Sequence, residues 1–172
     1  VSRDATRFWI RTALLLGITL VFQMLRQIVP MPQPVSVFVV GSLVNAALVV
    51  AASTVGIAGG VFISMAAPVV AFLQGHLPPL IPMIPIVAMG NALIVVVYGL
   101  LERRNPYAAV VLGAVVKAAF LFGAVQLFVR VAGVQPPIVK ALSFSFSWPQ
   151  LVTAVIGGTV AVQDLRLLPG GK

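Results

Sequence analysis

Apolar residues run in long blocks along this chain, and polar residues are confined to short breaks between them. A bilayer's hydrocarbon core is roughly 30 Å thick, so about 20 apolar residues in a helix rising about 1.5 Å each can cross it. Six spans of that kind are predicted. The first covers 8–28, with Arg11 and Gln23 near its ends, where long side chains reach the interface, and Arg26 closing it. The loop VPMPQP that follows contains three prolines, which forbid helix continuation. The second span, 35–54, has Asn45 at its centre and ends in the tight turn Ser53-Thr54-Val55-Gly56. The third, 57–74, is loosened by Gly59-Gly60 and by Pro68, and Gln74-Gly75-His76 ends it. Residues 77–85, LPPLIPMIP, form an apolar loop with four prolines. The fourth span, 84–101, carries Asn91 near its middle, and Glu102 to Pro106 make a polar turn. The fifth runs from Tyr107 to Val129. Residues 130–147 are the longest loop, where Pro136-Pro137 precede SFSFSW, an alternation with the period of a strand or of an interfacial segment. The sixth span, 148–165, includes Gly157-Gly158. The expected fold is therefore all-α and integral to the membrane, one six-helix domain over 1–172.

Composition sharpens this reading. Only 8% of the residues are charged and 60% are hydrophobic, against about 25% charged in a soluble domain. The absence of cysteine excludes disulfides, iron–sulfur clusters and thiolate zinc sites. The net charge of +8 comes from scattered residues flanking apolar runs, as orientation signals do, and does not point to nucleic acid. The apolar run Phe8 to Ile28 is too long for the core of a signal peptide, and no small-x-small cleavage site follows it. Orientation follows from lysine and arginine in the breaks. Arg3, Arg7, Arg11, Arg103, Arg104, Arg166 and Lys172 fall on one side, and Arg26, Arg130 and Lys140 on the other. The richer side is read as cytoplasmic, with both termini inside. The acids Asp4, Glu102 and Asp164 lie on that same side, while the outer loops are long, proline-rich and apolar, which suits either a roofed outward vestibule or plain connections between helices.

Lys117 is the candidate centre of chemistry. It sits ten residues into the fifth span, so about 15 Å deep, where an ammonium costs on the order of 2.5–3.5 kcal/mol and needs compensation. Asn45 and Asn91 lie at similar depth on two other spans, and amides in lipid commonly pair across helices. The three are expected to share one site, either a closed structural network or the floor of a pocket. Gln126, Gln150, Trp148, Phe146, His76, Gln74, Gln23 and Arg26 are further outward candidates. Trp148 also suits an interfacial anchor, and His76 an ordinary loop histidine. With one histidine and no outer carboxylate, no metal site and no resident cofactor are expected. The same lack of an outer acid argues for a neutral or anionic ligand, with an aromatic ring against Trp148 and Phe146.

Six spans in fewer than 180 residues, Ala13-x-x-x-Gly17 on the first, VGSLVNAAL on the second, GNAL on the fourth, Lys117 on the fifth and SWPQLVTAVIGG opening the sixth together resemble the S-components of energy-coupling factor (ECF) transporters. The resemblance covers essentially the whole chain. It implies a multi-pass subunit of a prokaryotic cell membrane that captures a vitamin or vitamin precursor from outside, in a pocket built by the outer halves of helices four to six and the outer loops. It also implies docking onto a transmembrane T-component with two ATPase subunits, through a small-residue face matched here by Ala13 and Gly17, with glycine where the family has a second alanine. The histidine motif of nickel and cobalt members is absent, and thiamine-type cations are disfavoured by the missing acid. Two other classes compete. An intramembrane serine protease would have only Ser64 and His76, about 18 Å apart if the helix runs on, so no enzyme is expected. A non-transporting accessory membrane subunit is the other.

Overall fold

The structure is a computed structural model, and it describes residues 2–167; Lys172, counted above for orientation, lies outside them. Its elements are α1 (Arg3–Ile28), α2 (Gln33–Thr54), α3 (Gly56–Leu73), α4 (Met83–Leu101), α5 (Pro106–Ala132), α6 (Pro136–Ser145) and α7 (Trp148–Leu167). α1 to α5 and the stretch Pro136–Leu167, in which α6 leads into α7, are six helical segments long and apolar enough to cross a membrane, and they contain the six predicted spans. All are helices because hydrocarbon offers no partner for backbone N–H and C=O, which a helix satisfies within itself.

Local chemistry sets the ends. Ser2 caps α1 by accepting from the Ala5 N–H. Asn105 caps α5 by accepting from the N–H groups of Tyr107 and Ala108, both at 3.1 Å, and Pro106 follows at the position where a missing N–H costs nothing. Gly133 ends α5 with φ +59°, a left-handed conformation that suits glycine.

The long fifth connection is a helix, not a strand. α6 starts at Pro136-Pro137, whose fixed φ suits a first turn, and Leu142 and Phe146, four apart, both turn into the protein. The SFSFSW alternation is only locally two-fold, and a lone strand would leave its backbone groups unpaired. α6 docks through Leu142 and Phe146 onto Met83, Leu121 and Val125. Phe146 and Ser147 then bend the chain into α7.

In lipid, helices associate by close packing more than by the hydrophobic effect. α2 runs along α7, α3 along α4, and α4 along α5, while α1 lies at the edge against α2 and α3. The principal core is built from Leu48, Val49, Ile63, Ile94, Val95, Tyr98, Val110 and Ala154. Gly59-Gly60 do not loosen α3: a Cβ on Gly60 would lie 2.6 Å from Val95 Cγ1 and one on Gly59 2.6 Å from Val55 Cγ2, so both are packed sites in an unbroken helix. Closest of all is the α2–α7 crossing, where a Cβ on Gly157 would lie 2.0 Å from the Ser42 carbonyl oxygen and 2.9 Å from the Ala46 nitrogen.

At the end holding the chain's described termini, Ser53 on α2 donates to the Glu102 carboxylate beyond α4, and Arg166 on α7 lies 4.8 Å over the Tyr107 ring on α5. These contacts pin the α2–α3 turn, the α4–α5 turn and the end of α7 into one layer. Because a backbone cannot move aside as a side-chain tip can, Gly157→Ala is expected to destabilise the bundle by about 1–3 kcal/mol. Gly123, whose added Cβ would meet nothing within 4 Å, is the control. A thermal melt in detergent should fall for Gly157→Ala and hold for Gly123→Ala; equal melts would show that the α2–α7 contact does not set stability.

Candidate functional site

The opposite end of the bundle holds a cavity of about 630 Å³, within the range of small-molecule sites. Its floor is a polar network at mid-depth. Lys117, 3% exposed, donates from Nζ to Asn45 Oδ1 at 2.6 Å and to Asn91 Oδ1 at 2.8 Å. An ammonium can only donate, so it fixes both amides with oxygen inward. Asn45 Nδ2 in turn donates to the Gly41 carbonyl at 2.8 Å and lies 3.4 Å from Thr153 Oγ1, which donates to the Gln150 carbonyl. The network thus joins α2, α4, α5 and α7 through one cation and contains no carboxylate. Two of the three ammonium protons are spent on it. Lys117, Asn45 and Asn91 all line the cavity, so the third proton and the Asn91 Nδ2 group are the donors left at its floor.

The walls are apolar: Val37, Val40 and Val44 of α2, Ala71 of α3, Val87 of α4, Ala141 and Leu142 of α6, and Phe146 just past its end. Leu77 to Leu80 of the proline loop and Ile138 of α6 close over them. Proline fixes φ without needing an N–H partner, which lets this loop hold shape beside apolar space. The lining reaches α1, α2 and α3, so the site is wider than outer halves of helices four to six.

Of the residues expected here, Lys117, Asn45 and Asn91 are brought into direct contact, and Gln150 and Phe146 also line the cavity. Gln126 does not: its Nε2 donates to Ser143 Oγ at 2.9 Å and ties α5 to α6. Trp148 does not either. It is 54% exposed and packs outside α7 against Phe38 and Phe144, with ring centroids 5.6 and 5.8 Å away. One turn of α7 separates residues that share a face, so with Gln150 turned inward Trp148, two positions earlier, turns outward.

Gln23, Arg26 and His76 line the cavity as well. Gln23 does not reach out to the rim: it is 8% exposed, and its Oε1 is buried without a protein partner, as is the Nε of the half-buried Arg26. Both ring nitrogens of His76 are likewise buried and unpaired, so it is more than a surface loop histidine. Burial, then the Arg26 charge, hold the His76 pKa below its ordinary 6.5, so the ring is neutral at neutral pH. The sequence did carry a signal for the α1 pair. Thr12, Thr19, Gln23 and Arg26 are spaced by seven, four and three, a stripe on one helix face, and the first three are the buried residues of α1. Thr12 and Thr19 satisfy themselves on the Phe8 and Leu15 carbonyls; Gln23 spans to the Ala67 carbonyl at 3.4 Å.

Ala13 and Gly17 are exposed on α1, and a Cβ on Gly17 would meet nothing within 4 Å. Ser64, fully buried, donates to the Gly60 carbonyl of its own helix at 2.8 Å. Compared with family models, curated proteins and solved structures, the chain matches none.

Proposed function

We propose that this chain is the solute-capturing membrane subunit of an importer of the energy-coupling factor kind. It takes a small neutral or anionic vitamin or vitamin precursor into the cavity from outside a prokaryotic cell, and it hands that cargo on through a T-component with two ATPase subunits. The observation that carries this reading is the cavity floored by Lys117: a buried cation with a free donor, placed where a ligand oxygen can meet it. Phe146 offers a phenyl face toward a ligand ring, a role that Trp148, packed outside, does not share. A second reading has its own support. Asn45 and Asn91 already hold the ammonium, as they would in an accessory subunit whose network only ties helices together.

In this reading the cavity faces outward, because the breaks at its end carry Arg26, Arg130 and Lys140 and those at the other end carry most of the arginines. Single cysteines at the exposed positions 135–138 and 140 should then react with an impermeant thiol reagent in intact cells, while cysteines at 103–105 should not; the reverse pattern would turn the protein over. Ala13 and Gly17 form the docking face of α1 for the T-component. Ala13→Trp and Gly17→Trp are expected to block uptake by the assembled transporter while cargo binding to the isolated subunit stays within about twofold, and unchanged uptake would remove this face from the interface.

Lys117→Met separates capture from structure. The variant leaves two buried amide oxygens unpaired, so some loss of thermal stability accompanies either reading. Affinity is the discriminating quantity. For the small molecule that the wild-type protein retains on purification, binding at a temperature where both proteins are folded should weaken by at least about 1.5 kcal/mol, the scale of a hydrogen bond to a charged group. Unchanged affinity, or a wild-type protein that retains nothing and whose melt no metabolite extract shifts, would favour the accessory subunit.

A further inference from the structure

The cavity has two polar ends, and only one belongs to the Lys117 network. Arg26 lies two residues from the outer end of α1, whereas Asn45 lies twelve residues into α2, so the two ends differ in depth by roughly 15 Å along the helices. Apolar walls separate them. An arginine this close to a helix end ordinarily extends to the headgroups. Here its Nε is buried and its side chain lines the cavity instead, beside a Gln23 Oε1 and a neutral His76 that also lack protein partners. Nearly all buried polar groups are paired in folded proteins, so this cluster of orphans marks a place for groups from elsewhere.

The charge balance says which groups. No acidic residue lines the cavity. Glu102 is engaged by Ser53, and Asp4 and Asp164 lie in the first turn of α1 and near the end of α7, all at the far end of the bundle. Arg26 and Lys117 are thus two basic side chains facing one half-open cavity with no protein anion to balance them. We propose that Arg26, with Gln23 and His76, binds the carboxylate or phosphate of an elongated organic anion whose other end places an uncharged oxygen against Lys117 and Asn91. The guanidinium fork matches either oxyanion. Gln23 Oε1 can only accept, so the anion carries a hydroxyl or N–H beside its charged group, and the middle of the molecule is apolar enough to lie along Val40, Val44 and Phe146. This rests on the capture reading and narrows its cargo from neutral or anionic to anionic.

The test uses the full chain in a neutral detergent and a delipidated host metabolite extract below about 1 kDa, split on an anion-exchange column. The retained, anionic fraction should raise the melting temperature of the wild-type protein and the unretained fraction should not. Arg26→Gln should weaken the apparent affinity for the retained fraction at least about tenfold, and Arg26→Lys, which keeps the charge without the fork, should recover part of it. A shift from the unretained fraction alone would overturn the anionic assignment and leave solute capture standing. A shift from the retained fraction that Arg26→Gln leaves unchanged would overturn the role of this cluster. No shift from either fraction would overturn both capture and this inference. Phosphatidylglycerol micelles form the last arm: an Arg26-dependent shift from them and from neither fraction would assign the anion to a lipid headgroup and overturn the solute. The wild-type comparison needs no variant, so a poorly folding Arg26→Gln cannot leave the question open.

Discussion

One ammonium held at mid-membrane by two amide oxygens organises this protein. In hydrocarbon a lysine without compensation would be expelled, neutralised or dragged toward the surface. Asn45 and Asn91 prevent that by converging on Nζ from α2 and α4. Their geometry requires three helices to keep a fixed depth and rotation, and Asn45 extends the constraint through Thr153 to α7. The contact that lets α2 and α7 come close enough is glycine at 157, so backbone packing and the polar network depend on each other. An amide pair, unlike a carboxylate, solvates the charge without cancelling it, and the site keeps a positive field for whatever enters.

Charge is sorted along the bundle to the same effect. The acids sit at the end with the described termini, where Glu102 finds Ser53 and Arg166 lies over Tyr107. The cavity lining holds two basic side chains, Arg26 and Lys117, and no acid. In a medium of low dielectric such an imbalance is felt over longer distances than in water, so the cavity lining carries a net positive field. Rigidity of the enclosure comes from proline in two forms: the Leu77 to Pro82 loop, and the Pro136-Pro137 start of α6. α6 is a lid made from a helix too short to span, seated by Leu142 and Phe146.

Depth was legible in the sequence. Counting at 1.5 Å per residue was enough to find six spans, to place Lys117, Asn45 and Asn91 in one layer, and to see that no acid accompanied them. Length of apolar run and proline position carry that information, and neither depends on neighbours. Rotation about each helix axis was not legible. In lipid a helix is apolar on every side, because neighbouring helices and acyl chains present similar surfaces, and the periodicity that marks the buried face of a soluble helix is faint. Gln126 and Trp148 were therefore assigned to the cavity by depth and turned away from it by rotation, while Arg26 and His76, also candidates by depth, line it. α1 carried its inner face in the sequence as a stripe, Thr12, Thr19 and Gln23, whose spacings of seven and four keep to one side of the helix. What the tertiary structure alone decided is which side chains meet: contact needs depth and direction together, and direction is fixed by the close approach of helices at glycines whose partners the sequence does not name.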